Sequence, residues 1–132
     1  MNRSTIVRIT ALLGALSVGL GAFAAHSLRE LVSQPQLLTF ETGVRYQFYH
    51  TFAVGLAAVL YRMYGIEPAR LRLAVWLWIV GIVLFSGSLF LLSLREVHGL
   101  PVAFLGPVTP IGGLLLIGGW MALFTSTFSR TA

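Results

Sequence analysis

Charged residues divide the chain into long apolar stretches. No charged side chain occurs from Ile9 to Leu28, from Tyr46 to Tyr61, from Leu73 to Leu94 or from Val97 to Ser129, and a membrane-crossing helix needs roughly 20 such residues. Because the bilayer core offers the backbone no water, only helices and closed barrels cross it. The pattern predicts an all-α membrane protein, a four-transmembrane-helix bundle that forms one integral-membrane domain over residues 1–132. Its spans are placed at about Thr5–His26, Gly43–Met63, Leu71–Leu94 and Pro107–Phe128. The second stretch is the informative one: its uncharged part covers only about 24 Å of a core about 30 Å thick, so Arg45 or Arg62 must enter the headgroup boundary or lie deeper.

Between the first two spans, the segment from Gln34 to Arg45 reads as a short interfacial helix that runs into the second span. Pro35 suits a first helical turn, and Leu37, Leu38, Phe40 and Val44 can dip into the headgroup region. Glu41 and Arg45 are spaced to pair on one face. The first span also fits a secretory signal, with Arg3 and Arg8 before an apolar core and Ala22-Phe23-Ala24 as a cleavage site. Its apolar run is long for a signal, and its removal would leave three spans, so it is expected to be retained.

Composition sharpens the class. The chain is 57% hydrophobic and only 10% charged, with a mean hydropathy of +0.87, whereas about a quarter of the residues in an average soluble domain are charged. All nine basic residues are arginine, and they sit mostly at the ends of apolar runs. The pI near 10.8 therefore reads as topology signalling and lipid contact, and no nucleic-acid partner is implied. The absence of cysteine excludes disulfides, thiol catalysis and Cys-rich metal sites. With the N-terminus inside, Arg3, Arg8, Arg62, Arg70, Arg72 and Arg130 lie on the cytoplasmic side and Arg29, Arg45 and Arg95 outside, which predicts cytoplasmic N- and C-termini.

Under that topology His26, Arg45, Tyr46, Gln47, His50, Ser86, Ser88 and Thr109 all fall in the outer half of the bundle, and these are the candidate ligand-binding residues. Polar and ionisable groups at membrane depth face the interior and mark functional candidates. The plainer reading is that they bond one another across helices, each contact worth typically less than about 2 kcal/mol. Helical spacing aligns His26 with Ala15, Gly19 and Ala22, a face expected to pack, and places Tyr46, His50, Ala53 and Ala57 on one side of the second span. Ala74, Gly81 and Ser88 repeat at heptad spacing on the third.

Four blocks carry a family resemblance: Gly21-Ala22-Phe23-Ala24-Ala25-His26, Thr42-Gly43-Val44-Arg45-Tyr46-Gln47-Phe48-Tyr49-His50, Leu84-Phe85-Ser86-Gly87-Ser88-Leu89 and Gly106-Pro107-Val108-Thr109-Pro110-Ile111-Gly112-Gly113. In this order, over nearly the whole chain, they resemble the uncharacterised YgdD-like inner-membrane family, which has small eukaryotic transmembrane relatives. Ala24 departs from the glycine expected there. The resemblance implies a four-span protein of the bacterial inner-membrane type and supplies no activity.

Three functions compete. An accessory, assembly or structural subunit of a membrane complex, or a homo-oligomer, suits the small size and the Gly and Ala faces, with Gly118-Gly119 as a stripe able to dock a partner helix. A binding or transport protein would hold an anionic or amphipathic molecule, such as a lipid headgroup or quinone, in an outer pocket around Arg45 and His50. A metal site or enzyme would draw on His26, His50 and His98, or on Ser86 or Ser88 with His50. No pair of histidines has local metal spacing, and no cofactor or catalytic residue is implied. A proton pump is disfavoured, because there is no Asp and no Glu lies within a span.

Overall fold

The computed structural model describes residues 1–63 and 65–128. Arg130, one of the arginines that set the predicted topology, lies outside the described residues. Helix α1 (Arg3–His26) starts where the Asn2 side chain accepts the Thr5 N–H at 2.9 Å, an N-cap that occupies one of the free donors of the first turn. Helices α2 (Gln34–Leu60) and α3 (Pro68–Ser93) each carry proline in the first turn, where its missing N–H has no intrahelical partner to lose. A short helix α4 (Arg95–His98) is closed by Gly99 at φ +66°, a left-handed position that favours glycine. Helix α5 (Val108–Ser126) is the last element among the described residues, which also hold 3-10 turns at Leu28–Glu30 and Ala103–Leu105 and no strand.

The all-helical reading is therefore correct. Among the described residues three segments are long and apolar enough to cross a membrane: Arg3–Glu30, Pro68–Ser93 and Ala103–Ser126. The expected interfacial helix and the second span form one uninterrupted helix, α2, of 27 residues, about 40 Å long. Two of the apolar side chains expected to dip into the headgroup region are instead packed within the protein. Leu37 and Phe40 are buried with Ala24 and Leu28 in a small core that Phe90 flanks, because the 3-10 turn after α1 folds Leu28 back over them. Only Leu38 keeps an exposed position there.

Neighbouring helices run antiparallel. α1 packs on α2, α2 on α3, and α3 on α5, the last seam being the most extensive; among the described residues α1 makes no comparable approach to α3 or α5. Helices α2 and α3 are thus the central pair. The main core gathers Ile6 of α1, Ala53, Val54 and Ala57 of α2, Leu71, Ala74, Val75 and Trp78 of α3, and Leu116 and Ala122 of α5. Two ends can be named. At the terminal end the start of α1, the α2–α3 turn and the end of α5 meet, and at the loop end lie the connections around 27–33 and 94–107.

The α3–α5 seam depends on absent side chains. A methyl group on Gly112 would lie 2.8 Å from the Cα of Phe85, one on Gly119 would enter the Trp78 ring, and one on Gly81 would meet Leu116. Gly112, Gly119 and Ser126 recur at seven residues on α5, opposite Ala74, Gly81 and Ser88 on α3, and all six are buried. Small residues at this spacing let helix backbones approach closely. The same geometry corrects the expectation for Gly118-Gly119: Gly119 is covered by Trp78 and Gly118 faces Leu77, so the pair is engaged inside the chain. At the terminal end the seam is locked by Glu67 N–H on the Ser126 carbonyl at 2.8 Å and by Arg70, which bonds the Thr125 carbonyl at 3.1 Å and pairs with Glu67 at 2.8 Å. A cation on the last carbonyls of α5 is favoured by the helix dipole.

At the loop end, Glu96 accepts the Ser33 N–H and the Ser33 hydroxyl, each at 2.8 Å. These two bonds, the backbone one first, hold its carboxyl below the ordinary glutamate value. A depressed folded value means that the clasp stabilises the fold above the ordinary value and is lost as pH falls through the lower, folded one. The protection factor of the Ser33 amide should therefore fall as the pH drops below the ordinary glutamate value in the wild type, and Glu96→Gln should show low protection with no such pH dependence. Gly112→Ala should lower the melting temperature in detergent, an overpacking penalty of about 1–3 kcal/mol. Gly113→Ala should leave it unchanged, because that methyl would sit at an ordinary 3.6 Å from Phe85.

Candidate functional site

The polar candidates occupy several places. On the α1 side of α2, Gln47 is only 3% exposed, and its amide donates to the Ser17 hydroxyl at 3.0 Å. Ser17 donates to the Leu13 carbonyl at 2.7 Å, and Thr51 donates to the Gln47 carbonyl at 2.8 Å. Four residues separate Gln47 from Thr51, so both face α1. Arg45, two residues before Gln47, is exposed, and its guanidinium donates to the Thr42 hydroxyl at 3.3 Å. The ion pair expected between Glu41 and Arg45 is not formed within 4.0 Å. An exposed pair of this kind gains little, and the Thr42 hydroxyl on the same turn is within reach of the guanidinium.

On the opposite side of α2, His50 is 6% exposed. Its Nδ1 lies 2.7 Å from the Tyr46 carbonyl, and the Trp120 indole N–H reaches its Nε2 at 3.1 Å. Indole is a donor only, so Nε2 accepts and Nδ1 carries the proton; both nitrogens of a neutral imidazole are engaged. The Tyr46 ring packs on Phe85 at 5.0 Å and runs nearly parallel to the imidazole, 20° between planes at 6.3 Å. A groove of about 420 Å³ opens here, lined by Tyr46, His50, Phe85, Leu116, Ile117 and Trp120, with Gly113.

Arg45 and His50 therefore line separate cavities. Five residues along an α-helix turn a side chain by about 140°, which sends one toward α1 and the other toward α5. Ser88 and Thr109 form a third clip, 2.7 Å apart between α3 and α5. The Ser88 proton goes to the Phe85 carbonyl at 2.9 Å, so Thr109 donates between them. Ser86 is fully buried and its hydroxyl has no partner; the buried Trp78 indole N–H is likewise unpaired. His26 stands exposed at the end of α1, away from the other candidates. The face it shares with Ala15, Gly19 and Ala22 is not packed as expected but exposed, because α1 turns Thr10, Gly14, Ser17 and Gly21 to α2 instead.

The chemistry these groups can do is limited by what they already hold. His98 accepts the Leu100 N–H at Nδ1 and reaches the Leu91 carbonyl through Nε2, each at 2.9 Å. Among the described residues no three His, Asp or Glu side chains gather as a metal site would need, and neither Ser86 nor Ser88 bonds His50. The residues that complete the buried clips and that the sequence reading passed over are Ser17, Thr51 and Trp120. Hydroxyls two turns apart on one face of α1, at Thr10 and Ser17, and an indole N–H inside an apolar helix with its own need for an acceptor, were the available signals.

A chain with three membrane-length apolar helices, interior polar clips and no strand among the described residues is a helical membrane protein. It belongs to the family described as Protein of unknown function (DUF423), which residues 20–113 match, and this bears out the resemblance seen in the sequence. It is similar to the UPF0382 membrane protein of Staphylococcus haemolyticus, with 40% identity over 92% of this chain and 97% of the relative. The UPF0382 membrane protein of Haemophilus influenzae is 40% identical over 96% of this chain and 95% of its own length. That of the yeast Schizosaccharomyces pombe is 40% identical over 90% and 98%. No solved structure matches the chain.

The Ser17–Gln47 clip can be measured directly. In a double-mutant cycle of Ser17→Ala and Gln47→Leu, unfolding in detergent should show a coupling of about 0.5–1.5 kcal/mol, the range of interhelical hydrogen bonds in membranes. Additive effects would mean that the two side chains stabilise their helices separately.

Proposed function

We propose that residues 1–132 form one integral-membrane domain that crosses the cell inner membrane four times, with both termini cytoplasmic, and acts as an accessory, assembly or structural subunit of a membrane complex. The fourth crossing is α2. Its average apolarity is lowered by residues that are turned inward, such as Gln47, His50 and Thr51. Its outer face carries Phe48, Tyr49, Phe52, Leu56 and Val59, an i, i+4, i+8 stripe suited to lipid. Orientation rests on the arginines: Arg3, Arg8, Arg62, Arg70 and Arg72 belong to the terminal end, and Arg29, Arg45 and Arg95 lie toward the loop end.

The observation that carries the accessory reading is the state of the buried polar groups. Gln47 with Ser17, His50 with Trp120 and Ser88 with Thr109 each join two helices. They act as internal fasteners, and among the described residues neither Ser86 nor Ser88 is paired with His50 as nucleophile and base. The exposed small residues Ala11, Ala15, Gly19 and Ala22 on α1 give a second chain, or a second copy of this one, a face for close approach. A second reading, binding of a small anionic or amphipathic molecule, draws support from the cavities beside Arg45 and over His50.

The chain has no cysteine of its own, so single cysteines can report both points. Leu100→Cys should react with an impermeant maleimide in spheroplasts, whereas Asn2→Cys and Met63→Cys should react only after the membrane is opened. Ala15→Cys should cross-link to a stoichiometric membrane partner. Labelling of Met63→Cys and Leu100→Cys from the same side would reject the α2 crossing. An Ala15→Cys chain that stays monomeric and partner-free would reject the subunit role.

A further inference from the structure

Two cavities follow one another along the groove between α1 and α2 and share Val44 and Arg45. The first, about 230 Å³, is completed by Gly21, Ala24 and Glu41. The second, about 240 Å³, lies a turn or so toward the terminal end beside Val18, Phe48 and Tyr49, and is apolar in its lining. Gly21 and Ala24 create the notch, because neither fills the space beside α2.

The charges in the notch are unusual in being opposite and apart. Glu41 and Arg45 are one turn from each other, which puts their Cβ atoms about 5–6 Å apart, yet no ion pair joins them within 4.0 Å. Arg45 makes a single long hydrogen bond, to Thr42, so most of its five N–H donors are free. A guanidinium grips a phosphate, and a carboxylate accepts hydrogen bonds from an ammonium. A purely anionic ligand would gain from Arg45 and be repelled by Glu41. A zwitterion satisfies both.

The order along the groove identifies the zwitterion. With Leu60 at the inner boundary, about 20 residues at 1.5 Å each fill a core about 30 Å thick, which puts Glu41 at the opposite headgroup boundary and Arg45 about 6 Å deeper. From the water inward the groove presents a carboxylate, a guanidinium and then an apolar channel. A phospholipid with a primary amine presents an ammonium, a phosphate and then an acyl chain.

We infer that the α1–α2 groove is a binding site for a phosphoethanolamine lipid, with its phosphate on Arg45, its ammonium on Glu41 and one acyl chain along Val18, Phe48 and Tyr49. The inference rests on α2 lying in the bilayer and deepens the second reading above. Glu41 and Arg45 are not core residues, so their variants leave the packing between helices intact, which melting in lipid-free detergent checks.

The test is native mass spectrometry of the full-length protein with phosphatidylethanolamine, phosphatidylglycerol and phosphatidylcholine of identical acyl chains. Wild type should retain the ethanolamine lipid about tenfold better than either other lipid, the worth of one charge-assisted hydrogen bond. Arg45→Gln should weaken all three, and Glu41→Gln should abolish the ethanolamine preference while leaving the glycerol lipid bound as well or better. Equal retention of the three lipids by wild type, or an ethanolamine preference that survives Glu41→Gln, overturns the inference. Arg45-dependent preference for the glycerol lipid overturns the zwitterion while keeping a binding site, and adducts indifferent to Arg45 overturn both. Cysteine labelling of the α2–α3 turn reports separately on whether α2 crosses.

Discussion

Leaving a buried polar group unpaired is costly, and α2 is where that cost shapes the molecule. Gln47, His50 and Thr51 are all buried on one central helix, and a buried polar side chain without a bond costs roughly 1–3 kcal/mol. The helix can hold them only because neighbours on both sides supply what they need: Ser17 from α1, Trp120 from α5, and the helix's own carbonyls. The central position of α2, with α1 on one flank and α3 on the other, follows from that demand as much as from apolar contact.

The second constraint is steric. Where α3 meets α5, glycines let the backbones come close enough that Gly112 sits against Phe85 and Gly119 against Trp78. Close approach multiplies weak dispersion contacts, each worth only about 0.1–0.2 kcal/mol, and it brings Ser88 and Thr109 into hydrogen-bond range. At the terminal end the same approach lets Arg70 cap the carbonyls of α5. Polar clips and glycine seams are thus linked: the clips form where small residues allow it.

Between the helices the outer surface is uneven. In the groove over His50 the imidazole nitrogens and the Trp120 indole N–H are already engaged, and its walls are largely aromatic. The α1–α2 groove holds a carboxylate and a guanidinium that are not paired with each other beside an apolar channel. The two cavities thus differ in chemistry, and Arg45 and His50 belong to separate ones. The family to which the chain belongs is described as one of unknown function.

Much of this was legible in the residues. Apolar run length and the positions of arginine and proline determine the helices and their approximate limits, because backbone hydrogen bonding in an apolar medium leaves few alternatives. The heptad of Ala74, Gly81 and Ser88 identified the buried face of α3, since small residues there have no other use. What the sequence could not decide was which of two small-residue stripes on α1 would pack. Ala15, Gly19 and Ala22 are as smooth as Gly14, Ser17 and Gly21, but only the latter stripe carries a hydroxyl to meet Gln47, and that partner comes from 30 positions away. The pairing of His50 with Trp120, 70 positions apart, was hidden for the same reason. A helix's own period orders its faces, but only the packing of other helices assigns each face a partner.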